Sequence, residues 1–147
     1  KLSVILWQLP PKFKLNFERA KEFCGLLGDI STSKPVRQAF EFRDRSWFCP
    51  EVYGLLEEHN FSLCVAHSSV LPYVERATAQ FVYIRFHGGE SFYDSNYSEG
   101  ELRDWSKRIG EWLRKGLDVY SYFNNDAYGF AVKNALALRE LLVQNNP

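Results

Sequence analysis

The chain has no methionine, no excess of either charge and only three cysteines in 147 residues. Cys24, Cys49 and Cys64 are widely spaced and form no C-x-x-C pair. That argues against a zinc ribbon or a disulfide framework and suits reduced thiols in a cytoplasmic protein. Lys plus Arg equals Asp plus Glu at 18 each. No global field then draws the protein to nucleic acid or an anionic membrane, and only a local basic patch could do so. No apolar run approaches the roughly 20 residues needed to span a bilayer. The opening run Lys1-Leu2-Ser3-Val4-Ile5-Leu6-Trp7 lacks the cleavage pattern of a signal peptide. A start without Met, directly in a strand-like run, is expected of a fragment or a processed piece. No G-x-G-x-x-G or G-x-x-x-x-G-K follows any strand, which removes the usual signs of dinucleotide and P-loop folds. Internal repeats and low-complexity segments are also missing.

What is present is apolar content of 46%, sufficient for one core, and an aromatic share of 16%. The central stretch is Phe81-Val82-Tyr83-Ile84-Arg85-Phe86-His87-Gly88-Gly89. Alternation along a strand puts Val82, Ile84 and Phe86 on one face, and Tyr83, Arg85 and His87 on the other. Around it, residues 3–9 predict a buried parallel strand ended by Pro10-Pro11. Residues 16–27 predict a helix with Asn16 as N-cap and Gly28 as C-cap. Strand 36–43 and a short helix from Pro50 to His59 follow, then strand 61–66 ending at His67. Residues 68–79, broken by Pro72, predict no long helix. After strand 80–87, Ser98 and Glu101 form a capping-box signature for helix 98–115, with Leu102, Trp105, Ile109, Trp112 and Leu113 inward. Strand 117–123 leads through Asn124-Asn125-Asp126, expected to cap a helix 127–144 with Ala131, Ala135, Leu138 and Leu142 inward. Strands alternating with helices predict an α/β fold with parallel strands and right-handed crossovers.

Each strand ends in polar residues: Gln8; Glu41 and Arg43; His67; Arg85 and His87; Asn124, Asn125 and Asp126. Parallel α/β folds place ligands at the carboxyl ends of their strands, so these residues are candidates for one shared site. His87 is the candidate for proton transfer, because imidazole titrates near neutral pH. Gly88 and Gly89 would let backbone N–H groups approach an anion. Trp47, Phe92, Tyr93 and Tyr97 are candidates for stacking at the mouth. Glu41, His67, His87 and Asp126 could together ligate a metal, but no H-x-H or H-E-x-x-H spacing supports it, so no metal is assigned and the cofactor is left unknown.

Five segments carry a family resemblance. They are Gln8-Leu9-Pro10-Pro11; Phe40-Glu41-Phe42-Arg43 with Ser46-Trp47; Val65-Ala66-His67-Ser68; Val82-Tyr83-Ile84-Arg85-Phe86-His87-Gly88; and Tyr122-Phe123-Asn124-Asn125-Asp126 with Gly129 and Asn134-Ala135. Together they resemble the uncharacterised DUF72 family (YecE-like proteins) over essentially all of 1–147. The resemblance implies a partial TIM-type β/α barrel, with helices outside five parallel strands that would be barrel strands four to eight. It also implies a single domain lacking the N-terminal strands, and an activity not established. His67 stands where the family's Asp is expected, which unsettles any role needing a carboxylate there. In that register Glu41 and Arg85 would share a lumen layer, either as a buried ion pair or as catalytic groups.

Three readings follow. One is a hydrolase or lyase acting on a small polar, anionic or phosphorylated substrate. In it His87, Glu41 and Arg85 are catalytic, and Gln8, Arg43, Trp47, His67, Tyr83, Gly88, Asn124, Asn125 and Asp126 bind substrate. Another is a non-catalytic module for nucleic acid or a phosphorylated ligand, contacting it through Arg43, Arg85 and loop aromatics. The last is a damaged barrel whose polar ends are inherited. Unpaired edges at barrel strands four and eight predict dimerisation or other self-association, pairing with a partner segment, or poor solubility.

Overall fold

The computed structural model describes residues 2–33, 36–89 and 95–145. Among them are β1 (Val4–Gln8), α1 (Phe17–Ser33), β2 (Arg37–Glu41), α2 (Pro50–Glu58), β3 (Ser62–His67), β4 (Phe81–Phe86), α3 (Glu99–Arg114), β5 (Asp118–Phe123) and α4 (Phe130–Asn145). The five strands are parallel and their order in the sheet follows the chain, β1-β2-β3-β4-β5. This is the α/β class, with the element sequence of part of a TIM-type β/α barrel. No helix among the described residues is long and apolar enough to cross a membrane.

The chain divides into two compact units, one of Lys1–Val65 with Pro72–Tyr83, the other of Ala66–Leu71 with Ile84–Pro147. In the first, β1 and β2 pair in register from Val4 opposite Arg37 to Gln8 opposite Glu41, and the Leu9 N–H donates to the Glu41 carbonyl at 3.0 Å. The aromatic alternation of β2 fills the core beneath. Phe40 and Phe42 pack with Trp47, Val52, Leu55, Leu56 and Phe61, all buried. Each large apolar side chain removed from water contributes about 1.5–3 kcal/mol. No helix forms between β3 and β4, as Pro72 predicts; instead Thr78 serves the strand. Its hydroxyl accepts from Leu63 N at 2.7 Å and donates to the Phe61 carbonyl at 2.7 Å.

Two features of α1 and β1 differ from expectation. α1 runs past Gly28 to Ser33, so Gly28 is not its cap. A Cβ there would stand 3.0 Å from His59 Nδ1, which makes Gly28 a point of close approach. β1 is only half-buried, because it lies at one end of the strand order and has a single neighbour.

In the second unit, Ser98 and Glu101 close the capping box at the start of α3. Its apolar face carries Leu102, Trp105, Ile109 and Trp112, all buried, whereas Leu113 is 41% exposed. One residue past Trp112 is about 100° further round the helix, off the buried face. α4 is turned relative to the predicted stripe. Ala131, Asn134, Leu138 and Leu141 face inward, while Ala135 is exposed and Leu142 half-buried. Asn134 sets this phase, because its buried amide has four hydrogen-bond contacts to satisfy (below). Asp126 makes no side-chain cap bond, and Tyr128 at φ 56° interrupts the helical path, so α4 starts only at Phe130.

Candidate functional site

Each unit gathers polar strand ends of its own. In the first unit the β1–β2 register brings Gln8 beside Glu41. Glu41 is completely buried, which is tolerable for a carboxylate only with charged partners. Arg43, two residues along the same face, supplies one: its Nε donates to Glu41 Oε1 at 2.8 Å, and its Nη2 donates to Gln8 Oε1 at 3.0 Å. Cys64 Sγ lies 4.0 Å from the other carboxylate oxygen. Tyr83 is buried and its N–H donates to Ser62 Oγ at 3.2 Å. Trp47 is buried in the core, its indole N–H donating to the Phe13 carbonyl at 2.7 Å.

In the second unit the ends of β3, β4 and β5 bring His67, Arg85, His87 and Asn124 together. The His87 N–H donates to the His67 carbonyl at 2.9 Å, and the Asn124 N–H to the Phe86 carbonyl at 2.8 Å. Arg85 is half-buried, and its Nε donates to Asn124 Oδ1 at 3.0 Å, which fixes the plane of the guanidinium. His87 is fully buried. His67 is half-buried, and burial pushes its pKa below the ordinary 6.5. Glu101 pulls it back up, whereas Arg108 and His87 add to the lowering.

Tyr97 ties this cluster together. Its hydroxyl accepts from the Gly88 N–H at 3.1 Å and lies 2.8 Å from His67 Nδ1. With one lone pair used by Gly88, the hydroxyl proton is available to Nδ1, which suits a neutral imidazole protonated at Nε2. Gly88 sits at φ 105°, a backbone region that glycine supplies without strain, and its N–H is directed at Tyr97. Tyr97 itself is buried, not displayed at a mouth. Phe92 and Tyr93 lie outside the described residues.

Asn125 and Asp126 part company. Asn125 is completely buried, and its Nδ2 donates to the Ser95 carbonyl at 2.9 Å and to Asn134 Oδ1 at 2.8 Å. Asn134 Oδ1 also accepts from Tyr97 N, while its Nδ2 donates to Asn96 Oδ1 and the Tyr97 carbonyl. Asp126 is exposed. Sequence reasoning missed Asn134 as a structural centre, because an Asn on a helix normally reads as surface. Its position in the Asn134-Ala135 motif was the available signal. Among the described residues no group of three or more His, Cys, Asp or Glu side chains could hold a metal ion.

The whole chain, residues 1–147, matches the model of a family described as "Protein of unknown function DUF72". It is similar to the UPF0759 protein YunF of Bacillus subtilis (strain 168), at 32% identity over 97% of this chain and 58% of that protein. Among solved structures it is similar to a DUF72 family protein from Thermotoga maritima MSB8. That match has 32% identity and a TM-score of 0.79, over 97% of this chain and 58% of the other. A DUF72 family protein from Enterococcus faecalis V583 shares the fold at 22% identity and a TM-score of 0.77, covering 95% and 58%. The chain thus spans under three-fifths of the length of the relatives it matches. On the family model and these relatives together, it belongs to the DUF72 family.

Proposed function

We propose that the second-unit cluster binds a small anionic or phosphorylated substrate and performs acid–base chemistry on it, of the hydrolase or lyase kind. The observation that supports this most is the Arg85–Asn124 hydrogen bond. It orients a half-buried guanidinium at the carboxyl end of β4, two residues before a histidine. A held guanidinium is preorganised for an oxyanion, since its planar fork matches phosphate and carboxylate geometry. His87 moves the proton, Arg85 neutralises charge, and Asn124 keeps Arg85 in place. His67, kept neutral by burial, is available to accept or donate a hydrogen bond without adding charge. Glu41 is a weaker candidate base, because Arg43 holds its carboxylate as an ion pair.

Titration with inorganic phosphate, followed by the histidine ring signals in NMR, tests the binding step. The wild-type chain should saturate, and Arg85→Gln should weaken binding by about tenfold or more, the loss of one charge-assisted contact. Equal affinity in the variant sinks the reading. For the chemistry, His87→Gln should abolish turnover of any phosphate ester found by screening while the circular dichroism spectrum is kept. Surviving turnover removes His87 from its role.

A further inference from the structure

Apart from the strand-end clusters, the first unit carries a groove of about 390 Å³ whose lining includes Lys12, Phe13, Lys14, Arg19, Phe23 and Trp47. Its volume lies within the range of small-molecule sites, about 300–1,000 Å³. Three features give it a chemical character. The first is charge: three cations line it and no carboxylate does. Glu18 and Glu22 of α1 are not among the lining residues. Asp44 acts on Lys14, and its carboxyl is held below its usual range chiefly by hydrogen bonds from Ser46, with Lys14 a lesser contributor.

The second feature is a stack of aromatic rings that ends at the groove. Phe42 and Trp47 lie nearly parallel at 4.4 Å and 11°, and Phe13 continues the series over Trp47 at 6.4 Å and 16°. Phe13 is the outermost ring and is 48% exposed; Phe23, also in the lining, is 37% exposed. Holding two phenyl groups partly in water forgoes burial energy, and an aromatic guest would recover it by extending the stack. The third feature is rigidity. Trp47 Nε1 donates to the Phe13 carbonyl at 2.7 Å, Leu15 N to Ser46 Oγ at 2.8 Å, and Phe13 N to the Pro10 carbonyl at 3.2 Å. These bonds fix the segment on both sides of Lys12 and Lys14, so the groove pays little ordering entropy on binding.

We infer that this groove binds a small molecule joining a flat aromatic body to a phosphate group, of the mononucleotide kind. A phosphate ester carries up to two negative charges and suits a lining with three cations better than a single carboxylate does. The ring system lies on Phe13 and the phosphate among Lys12, Lys14 and Arg19.

Calorimetric titration of the full chain with adenosine monophosphate, adenosine, inorganic phosphate and a poly-glutamate peptide tests the inference. In an Arg85→Gln background, which lacks the strand-end anion site, adenosine monophosphate should bind saturably, and adenosine or phosphate alone about tenfold more weakly or worse, each lacking half of the contacts. Both Phe13→Ser and the triple variant Lys12→Gln/Lys14→Gln/Arg19→Gln should weaken the nucleotide by about tenfold as well. These side chains are exposed, so the fold should survive, and circular dichroism checks it. Arg85→Gln removes the strand-end anion site and leaves the groove residues untouched, so nucleotide binding that persists in that background belongs to the groove. Protection of Lys12 and Lys14 from acetylation by the nucleotide reads the same contact without any variant. Absence of saturation, loss of binding only in Arg85→Gln, absence of lysine protection, or tight peptide binding that the nucleotide does not displace would each overturn the inference.

Discussion

Burial sets the charge of His67 more than any neighbour does. Its pKa is lowered in the fold, so the unfolded chain takes up a proton at a higher pH than the folded one. The stability this residue contributes is complete above pH 6.5 and declines as the pH falls below that value. Thermal melts of the wild type should therefore lose stability on acidification from pH 7, and His67→Gln should flatten that slope. Parallel slopes in the two proteins would show that the imidazole is not held neutral. At this scale the sequence was informative about place and poor about partners. Alternation and strand ends located Glu41, His67, Arg85 and His87, because parity and chain direction follow from local pattern alone. They could not reveal that Tyr97 would reach both His67 and Gly88, a contact that depends on how a distant segment is threaded.

The elements show the same division between local and distant causes. The capping box at Ser98 and the amphipathic face of α3 were legible, since both are fixed within a few residues of chain. Gly28 was misread as a cap because a glycine after an apolar rhythm usually is one, and the true reason lies in His59. That explanation can be checked. Alanine exceeds glycine in a helix interior by about 1 kcal/mol. In the wild-type background Gly28→Ala should realise less than half of this, because the new Cβ would crowd His59 Nδ1. In a His59→Ala background the whole gain should appear in chemical denaturation. An equal gain in both backgrounds would mean that the histidine does not limit that position. α4 was phased wrongly for a related reason: apolar periodicity alone cannot predict a buried Asn134 whose amide is satisfied by Asn125, Asn96 and Tyr97.

At the scale of the whole chain, β1 and β5 stand at the two ends of the strand order among the described residues. α4 adds Val132, Leu136 and Val143, which are 67%, 45% and 69% exposed. A strand at the end of the order can offer its N–H and C=O groups to another chain, and we propose self-association through that edge. Light scattering should show a mass above the monomer that grows with concentration, and Ile5→Lys in β1 should shift it back toward the monomer. A steady monomer at high concentration would refute this. The division into two units was not legible, because two of its three boundaries fall inside strands, between Val65 and Ala66 and between Tyr83 and Ile84, where the apolar pattern runs on unbroken.

That division has a consequence for anyone who wishes to take the protein apart. The backbone passes between the units at three points, after Val65, after Leu71 and after Tyr83. A single protease nick or a gene split at one codon cannot release two intact halves, since one fragment always keeps a segment that the other requires. Reassembly from separately expressed pieces would have to exchange those segments before either piece could settle.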